Sequence, residues 1–340
     1  MTYAYIPVTI TNSESTATST DFQQLVNVDL SYYTSSLNSD LSNTFFSSDT
    51  AGSDIITSWL ESGNTYPFNS VNFWIYLPNG VGASSSITVY LQVDLSNTSH
   101  FNDTTTGVAP NLTSTYAEYD DGANVFTNYF NFAGTTLDSR VSPITGITLT
   151  QNNGLSIAVS TTATTFYILT SVYQNSPFIL ESDETYYGVG TGTNANEQYG
   201  LVIDSSTSTS QNTGGGPGGT NYMVRISNGD TNPQIVYDTT NEVSGTRSYT
   251  SQYTAIDSFT QSPSEVTGTF DGTSTSYSTT ALTSGYIGFY LYTAVANSNI
   301  ATIQWLRTRT YPPNGVMPFV TAGTPSNFPY YNTTTYEDLL

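Results

Sequence analysis

Ionisable residues are scarce in this chain, so the few that share a strand or a neighbourhood hold most of its chemical information. Glycoside hydrolysis needs two carboxyl groups flanking the scissile bond. The nearest arrangement is Glu181-Ser-Asp-Glu-Thr185. On a strand Glu181 and Asp183 share one face, Thr185 follows them, and Glu184 points the other way. The run reads as an acidic strand or loop edge. His100, the only histidine, sits among turn formers with no nucleophile beside it, so no triad can be assembled around it; it is read as exposed and inert. The chain is not expected to be an enzyme.

The remaining charges suggest structure. In the stretch from Ile303 to Arg309, the residues Ile303, Trp305, Arg307 and Arg309 alternate with Gln304, Leu306 and Thr308. Trp305 and both arginines should therefore share a face. Asp120 and Asp121 are the expected partners of Arg307 and Arg309 in a structural ion pair, because first and last strands of a sandwich often lie side by side. Four N-x-Ser/Thr sequons, at Asn97, Asn102, Asn111 and Asn332, offer glycosylation sites. Residues 205–220 form a low-complexity Ser/Thr/Gly loop. They lack the Lys and the following helix that a phosphate cradle requires.

The elements that position these residues are strands. Apolar and polar residues alternate throughout, and no window sustains a helical period. Phe22, Gln24, Val26, Val28 and Leu30 share one face; Val71, Phe73, Ile75 and Leu77 a second; Ile87, Val89, Leu91, Val93 and Leu95 a third. These make a first core. On the opposite sides Trp74, Tyr76 and Tyr90 are aromatic with polar tips, and they are the expected glycan or partner contacts. Periodicity lapses between His100 and Tyr119, which sets a boundary near residue 118. Beyond it, a hairpin is expected over 147–159 around Asn153-Gly154. Further strands are expected at 166–173, 178–189, 199–204, 222–227, 234–238, 247–259, 265–270, 286–293 and 301–311. The fold class is all-β: two β-sandwich or jelly-roll domains in tandem, 1–118 and 119–312, then a Pro/Tyr/Thr-rich tail, 313–340, that either packs as an arm or hangs loose.

Composition narrows the setting. Charged residues make up 9% of the 340, none is lysine, five are arginine, and the net charge is −21. A chain so acidic and without a basic stripe is repelled by phosphate backbones, so nucleic-acid binding is not expected. Near pH 2 to 3 most carboxylates, with pKa about 4, would be neutral. That suits an acidic habitat as well as the acidity suits an ordinary surface protein at neutral pH. There is no cysteine, hence no disulfide or thiolate site, and membrane insertion is not expected. Met1 opens directly into a strand with no leader pattern. An original Met1 favours a protein assembled inside a cell and released with a particle; the alternative is a leader exchanged for Met.

The two halves together resemble an archaeal arrangement found in surface and viral proteins: an N-terminal β domain of unknown function followed by a concanavalin A-like lectin/glucanase, or laminin-G-like, domain. In the first half the resemblance rests on Ile6-Pro-Val-Thr-Ile-Thr-Asn12, Phe22-Gln-Gln-Leu-Val26, Phe73-Trp-Ile-Tyr-Leu-Pro78 and Ser84-Ser-Ser-Ile-Thr-Val-Tyr90. In the second it rests on Phe126-Thr-Asn-Tyr-Phe-Asn-Phe-Ala-Gly-Thr-Thr-Leu-Asp138, Asn153-Gly-Leu-Ser-Ile157 and the run from Ile303 to Pro318. It implies a concanavalin A-like second domain, a location on the exterior of thermoacidophile viruses or cells, and, more loosely, glycan contact. Glycanases of this fold place carboxylates at alternate strand positions, and Thr185 stands where the row would be completed. Such folds sometimes hold calcium through oxygen ligands; Asp120, Asp121 and Asp138 are the candidates, and calcium is the one cofactor considered.

The function expected is that of a structural protein on the virion surface, a turret, spike or fibre subunit. Its partners would be other copies or other structural proteins of the same particle, and host-surface glycans. The alternatives are a cellular surface or secreted carbohydrate-binding adhesin and, disfavoured, a glycoside hydrolase.

Overall fold

The computed structural model describes residues 3–159, 164–187, 198–212, 220–227, 233–237, 240–244, 252–279, 281–293 and 299–329. The chain divides into two compact units, Met1–Phe126 with Pro312–Leu340 and Thr127–Tyr311. Both are built from strands.

The first unit contains β1 (Tyr3–Asn12), β2 (Phe22–Val28), β3 (Thr44–Ser47), β4 (Ile55–Ile56), β5 (Ser58–Ser62), β6 (Val71–Leu77), β7 (Ser85–Asp94) and β8 (Thr106–Val108). Alternation decides which way each strand faces. In β1, Ala4, Ile6, Val8 and Ile10 are buried while the residues between them are half-exposed. The three expected core faces assemble into one cluster with them, including Val26, Phe73, Ile75, Val89 and Leu91. Gln24, expected on the same face, is buried too; its amide nitrogen donates to the Leu25 and Pro318 carbonyls at 2.7 and 2.9 Å.

The second unit runs through β9 (Asn128–Phe130), β10 (Ile147–Gln151), β11 (Leu155–Val159), β12 (Thr164–Asn175), β13 (Phe178–Tyr186), β14 (Gln198–Ser205), β15 (Gln211–Asn212) and β16 (Tyr222–Ser227). It continues with β17 (Gln234–Tyr237), β18 (Thr240–Ser244), β19 (Tyr253–Gln261), β20 (Glu265–Phe270), β21 (Thr273–Ser278), β22 (Ser284–Thr293) and β23 (Asn299–Thr310). One sheet has the order β10-β11-β23-β13-β19-β20-β21 with β9 on β23, and the other β15-β12-β22-β14-β16-β17-β18. Residues from both sheets, among them Leu180, Phe259 and Ile303 from one and Phe166, Leu201 and Phe289 from the other, form one core. The expected hairpin is present: Gln151 faces Leu155, and Asn153 and Gly154 take φ of 56° and 123°.

One organisational expectation changes and one left open is decided. Residues 119–126 belong to the first unit, because Phe126 packs edge-on against Trp59 and Trp74 at 5.4 and 5.7 Å and Asp120 accepts the Trp59 indole N–H at 2.8 Å. The boundary therefore lies at residue 126, not 118. The tail also returns as an arm. Its strand β24 (Phe319–Ala322) pairs antiparallel with β1, giving the sheet order β24-β1-β7-β3-β4 opposite β2-β6-β5-β8. Residues 330–340 lie outside the described residues.

Candidate functional site

An open groove of about 540 Å³ lies in the first unit where β4, the end of β6 and the middle of β7 meet. Its floor is apolar, from Ile56, Leu77, Ile87 and Val89, and Ile55 forms an exposed lip. Polar groups converge above it: Ser48, Asp54, Thr57, Tyr76, Asn79 and Thr88. An apolar floor with a few oriented polar groups is the usual composition of a small-molecule site.

Local structure fixes the polar walls. The Asp49 carboxylate accepts the backbone N–H groups of Ala51, Ser53 and Asp54 and the Ser53 hydroxyl. The Ser53 hydroxyl and those amides lower the Asp49 pKa and hold the turn that carries Asp54. Asp54 then accepts the Ser48 hydroxyl. On the other wall the Tyr76 phenol donates to the Asp21 carboxylate, and that bond raises the pKa of the phenol. Tyr76 thus stays protonated and fixed in direction. Among the lining residues none is cationic.

The three expected aromatic contacts separate. Tyr76 lines the groove. Trp74 does not: it is 2% exposed, packed edge-on against Phe126, with its indole donating to Glu61 at 2.8 Å, so it is a core residue and not the expected glycan or partner contact. Tyr90 is half-buried outside the groove, edge-on to Tyr5 at 5.5 Å. His100 is also corrected. It is bound to Asp94 at 3.1 Å and lies against the Phe45 ring with centroids 4.4 Å apart.

In the second unit, Arg307 and Arg309 both donate to Glu181, at 2.7 and 2.8 Å, and Arg307 covers the Trp305 ring at 4.3 Å. Burial opposes ionisation of Glu181, but the two guanidiniums outweigh it and lower its pKa. A carboxylate held by two arginines is poorly placed to act as acid or nucleophile. Trp305 and the arginines do share a face, but Ile303 leaves it. The register of β23 on β13 shifts between Asp183 and Glu184, a bulge at Gln304 that returns Ile303 and Leu306 to the core.

Asp120 and Asp121, the carboxylates expected to pair with these arginines, are in the first unit. Asp120 takes the Trp59 indole. Asp121 is 1% exposed, and burial, then the neighbouring Asp120 charge, push its carboxyl pKa well up, which disfavours the charge that an ion pair would need. Asp138 is salt-bridged to Arg140 at 2.7 Å. Among the described residues no group of three or more acidic or His side chains could hold a metal ion.

The sequons differ in accessibility. Asn97 and Asn111 are exposed. The Asn102 amide donates to the His100 carbonyl at 2.8 Å while its oxygen accepts Thr104 and Thr105, so its nitrogen is engaged in a local turn. Asn332 and the glycine run 213–219 of the low-complexity loop lie outside the described residues.

The structure therefore defines an all-β protein of two sandwiches with an uncharged-to-acidic groove. No protein-family model matches the chain. It is 31% identical over 352 aligned positions to Uncharacterized protein 562 of Sulfolobus islandicus rod-shaped virus 1, an archaeal virus; the alignment covers 92% of this chain and 57% of the relative. The chain thus spans little more than half of the viral relative's length. Solved structures similar to part of it include lectin II from Ulex europaeus (11% identity, 54% of this chain and 98% of the lectin, TM-score 0.39). Peanut lectin gives 14% identity, 58% and 97% coverage, and a TM-score of 0.37. The Crh5 transglycosylase gives 12%, 57% and 86%, and 0.38. No helix among the described residues is long and apolar enough to cross a membrane.

Proposed function

We propose that this chain is a structural protein on the exterior of an archaeal virus particle, a turret, spike or fibre subunit, that contacts neutral host-surface glycans through the groove of its first unit. The observation that supports this reading is the groove itself. A saccharide has apolar C–H faces and hydroxyl edges, and here an aromatic ring, Tyr76, stands beside the acceptors Asp54, Asn79 and Thr88 above an aliphatic floor. The lining has no cation, and the net charge of −21 repels sulfated or uronic glycans. The viral relative supports the setting.

Glycan-array binding by the purified chain tests the contact. Neutral glycans should bind, and Tyr76→Ala should abolish the signal with the melting temperature within about 2 °C of wild type, since Tyr76 is only half-buried. Binding unchanged in Tyr76→Ala, or no binding to any neutral glycan, refutes the groove as the site. Antibodies to this chain should decorate intact particles; particles left bare would refute the exterior location.

A further inference from the structure

We propose that a carboxyl–carboxyl pair in the core of the second unit, Glu184 with Asp257, makes that unit an acid-tightened module whose folded form gains stability as the medium is acidified from neutral towards about pH 4. This goes beyond the glycan-contact reading and does not rest on it.

Glu184 projects from β13 between Ser182 and Tyr186, and Asp257 from β19 two residues before the core residue Phe259; both carboxyls are fully buried. Register sets Asp257 opposite Ser182, so its carboxyl lies one diagonal step from that of Glu184 on the same face, and Glu184 Oε1 is buried with no donor among the described residues, an arrangement that a proton shared between the two acids would satisfy. Donors close around them. The Tyr199 hydroxyl of β14 donates to Glu184 at 2.5 Å, the Tyr253 hydroxyl of β19 donates to Asp257 at 2.6 Å, and the Asp271 backbone N–H donates to the other Asp257 oxygen at 2.8 Å. The Asp271 carboxylate adds negative charge near Asp257. The two arginines of β23 are on the opposite face of β13, held by Glu181.

A buried site with phenols and a second acid, and the arginines of β23 turned away, favours neutral carboxyls. Burial, then the neighbouring Asp257, push Glu184 well up; burial pushes Asp257 up to about 6. A third buried acid in the same unit, Asp204, which accepts the Gln261 amide at 2.5 Å, is pushed by burial to about 7.

The sign follows from proton linkage. Below the ordinary carboxyl pKa of about 4, folded and unfolded chains are both protonated at these positions. Above it the unfolded chain releases protons that the folded one keeps, so the unfolding constant grows about tenfold per retained proton per pH unit. The growth stops for each group at its folded-state value, about 6 for Asp257 and about 7 for Asp204. Stability is fullest in acid and is lost as pH rises through that window.

Two measurements on the full chain test this. Infrared spectra at pH 6, where solvated carboxyls are ionised, should show a protonated-carboxyl stretch that weakens in Glu184→Gln. Hydrogen exchange of β13 and β19 amides, followed from pH 4 to 7 and corrected for intrinsic rates, should report an unfolding constant rising by roughly 100-fold or more. In Glu184→Gln or Asp257→Asn the rise should shrink by at least about tenfold, one retained proton being lost over more than a pH unit. An equal rise in both variants overturns the proposal. If neither variant folds, the spectrum of the Asp121→Asn/Asp204→Asn double variant, which removes the other two acids raised by burial, decides: a protonated-carboxyl stretch at pH 6 supports the proposal and its absence overturns it.

Discussion

Replacing Glu181 by Gln removes the carboxylate that Arg307 and Arg309 both hold, at 2.7 and 2.8 Å, while leaving the side-chain volume almost unchanged. The effect should be dominated by Arg307, which is 1% exposed and keeps its charge at every accessible pH. Removing one partner of a buried ion pair typically costs about 3–5 kcal/mol, because the surviving charge is left desolvated. The unit concerned spans Thr127–Tyr311. For a domain of that size each kcal/mol shifts the melting temperature by about 2–4 °C, so the second unit should melt roughly 6–20 °C lower at neutral pH. Circular dichroism or calorimetry on the full chain would measure it. The pKa of Glu181 is lowered by its arginines, so its stabilisation is present above the unfolded carboxyl pKa and fades as pH falls through the lower folded value. The deficit of Glu181→Gln relative to wild type should therefore narrow only in strong acid. A shift below about 2 °C at pH 7, or a deficit that stays constant into strong acid, would refute the view that this ion triad braces β13 against β23.

Trp74→Ala should destabilise the first unit by about 3–5 kcal/mol, as large-to-small core substitutions do, because Trp74 is buried against Phe126; a denaturant midpoint unchanged from wild type would return it to the list of surface contacts. Gly200→Ala should destabilise the second unit by about 1–3 kcal/mol, since a Cβ there would meet the Val224 carbonyl oxygen at 2.0 Å where β14 pairs with β16; wild-type stability would show that the strands can separate without cost.

Where a strand's two faces differ in polarity, the sequence was enough. Phe22 to Leu30 and Val71 to Leu77 alternate plainly, and their apolar members are the first core. Glu265–Phe270 and Tyr222–Ser227 were delimited to the residue. β21, Thr-Ser-Thr-Ser-Tyr-Ser, was missed. Its side chains carry almost no apolar contrast, and what makes it a strand is backbone pairing with β20 and hydroxyl contacts such as Thr267 to Ser276 at 2.7 Å.

The site divides the same way. Trp74 and Tyr76 are two positions apart on one face of β6 and look equivalent in sequence, yet one is covered by Phe126, some fifty positions along, and the other opens into the groove. The single-residue bulge at Gln304 carries Ile303 to the other face from Trp305, and strict alternation has no means of registering it. Glu184, set aside because it points away from Glu181, turned out to meet Asp257 in the core.

The sequence by itself determined an all-β protein with two cores and an acidic, lysine-free surface, because strand formation and burial depend on local period and composition. Tertiary structure alone decided which carboxylate meets the arginines, which is buried with a second acid, and which aromatic meets solvent. Those outcomes depend on register and on residues far apart in the chain, and burial then sets whether each carboxyl group is charged or neutral.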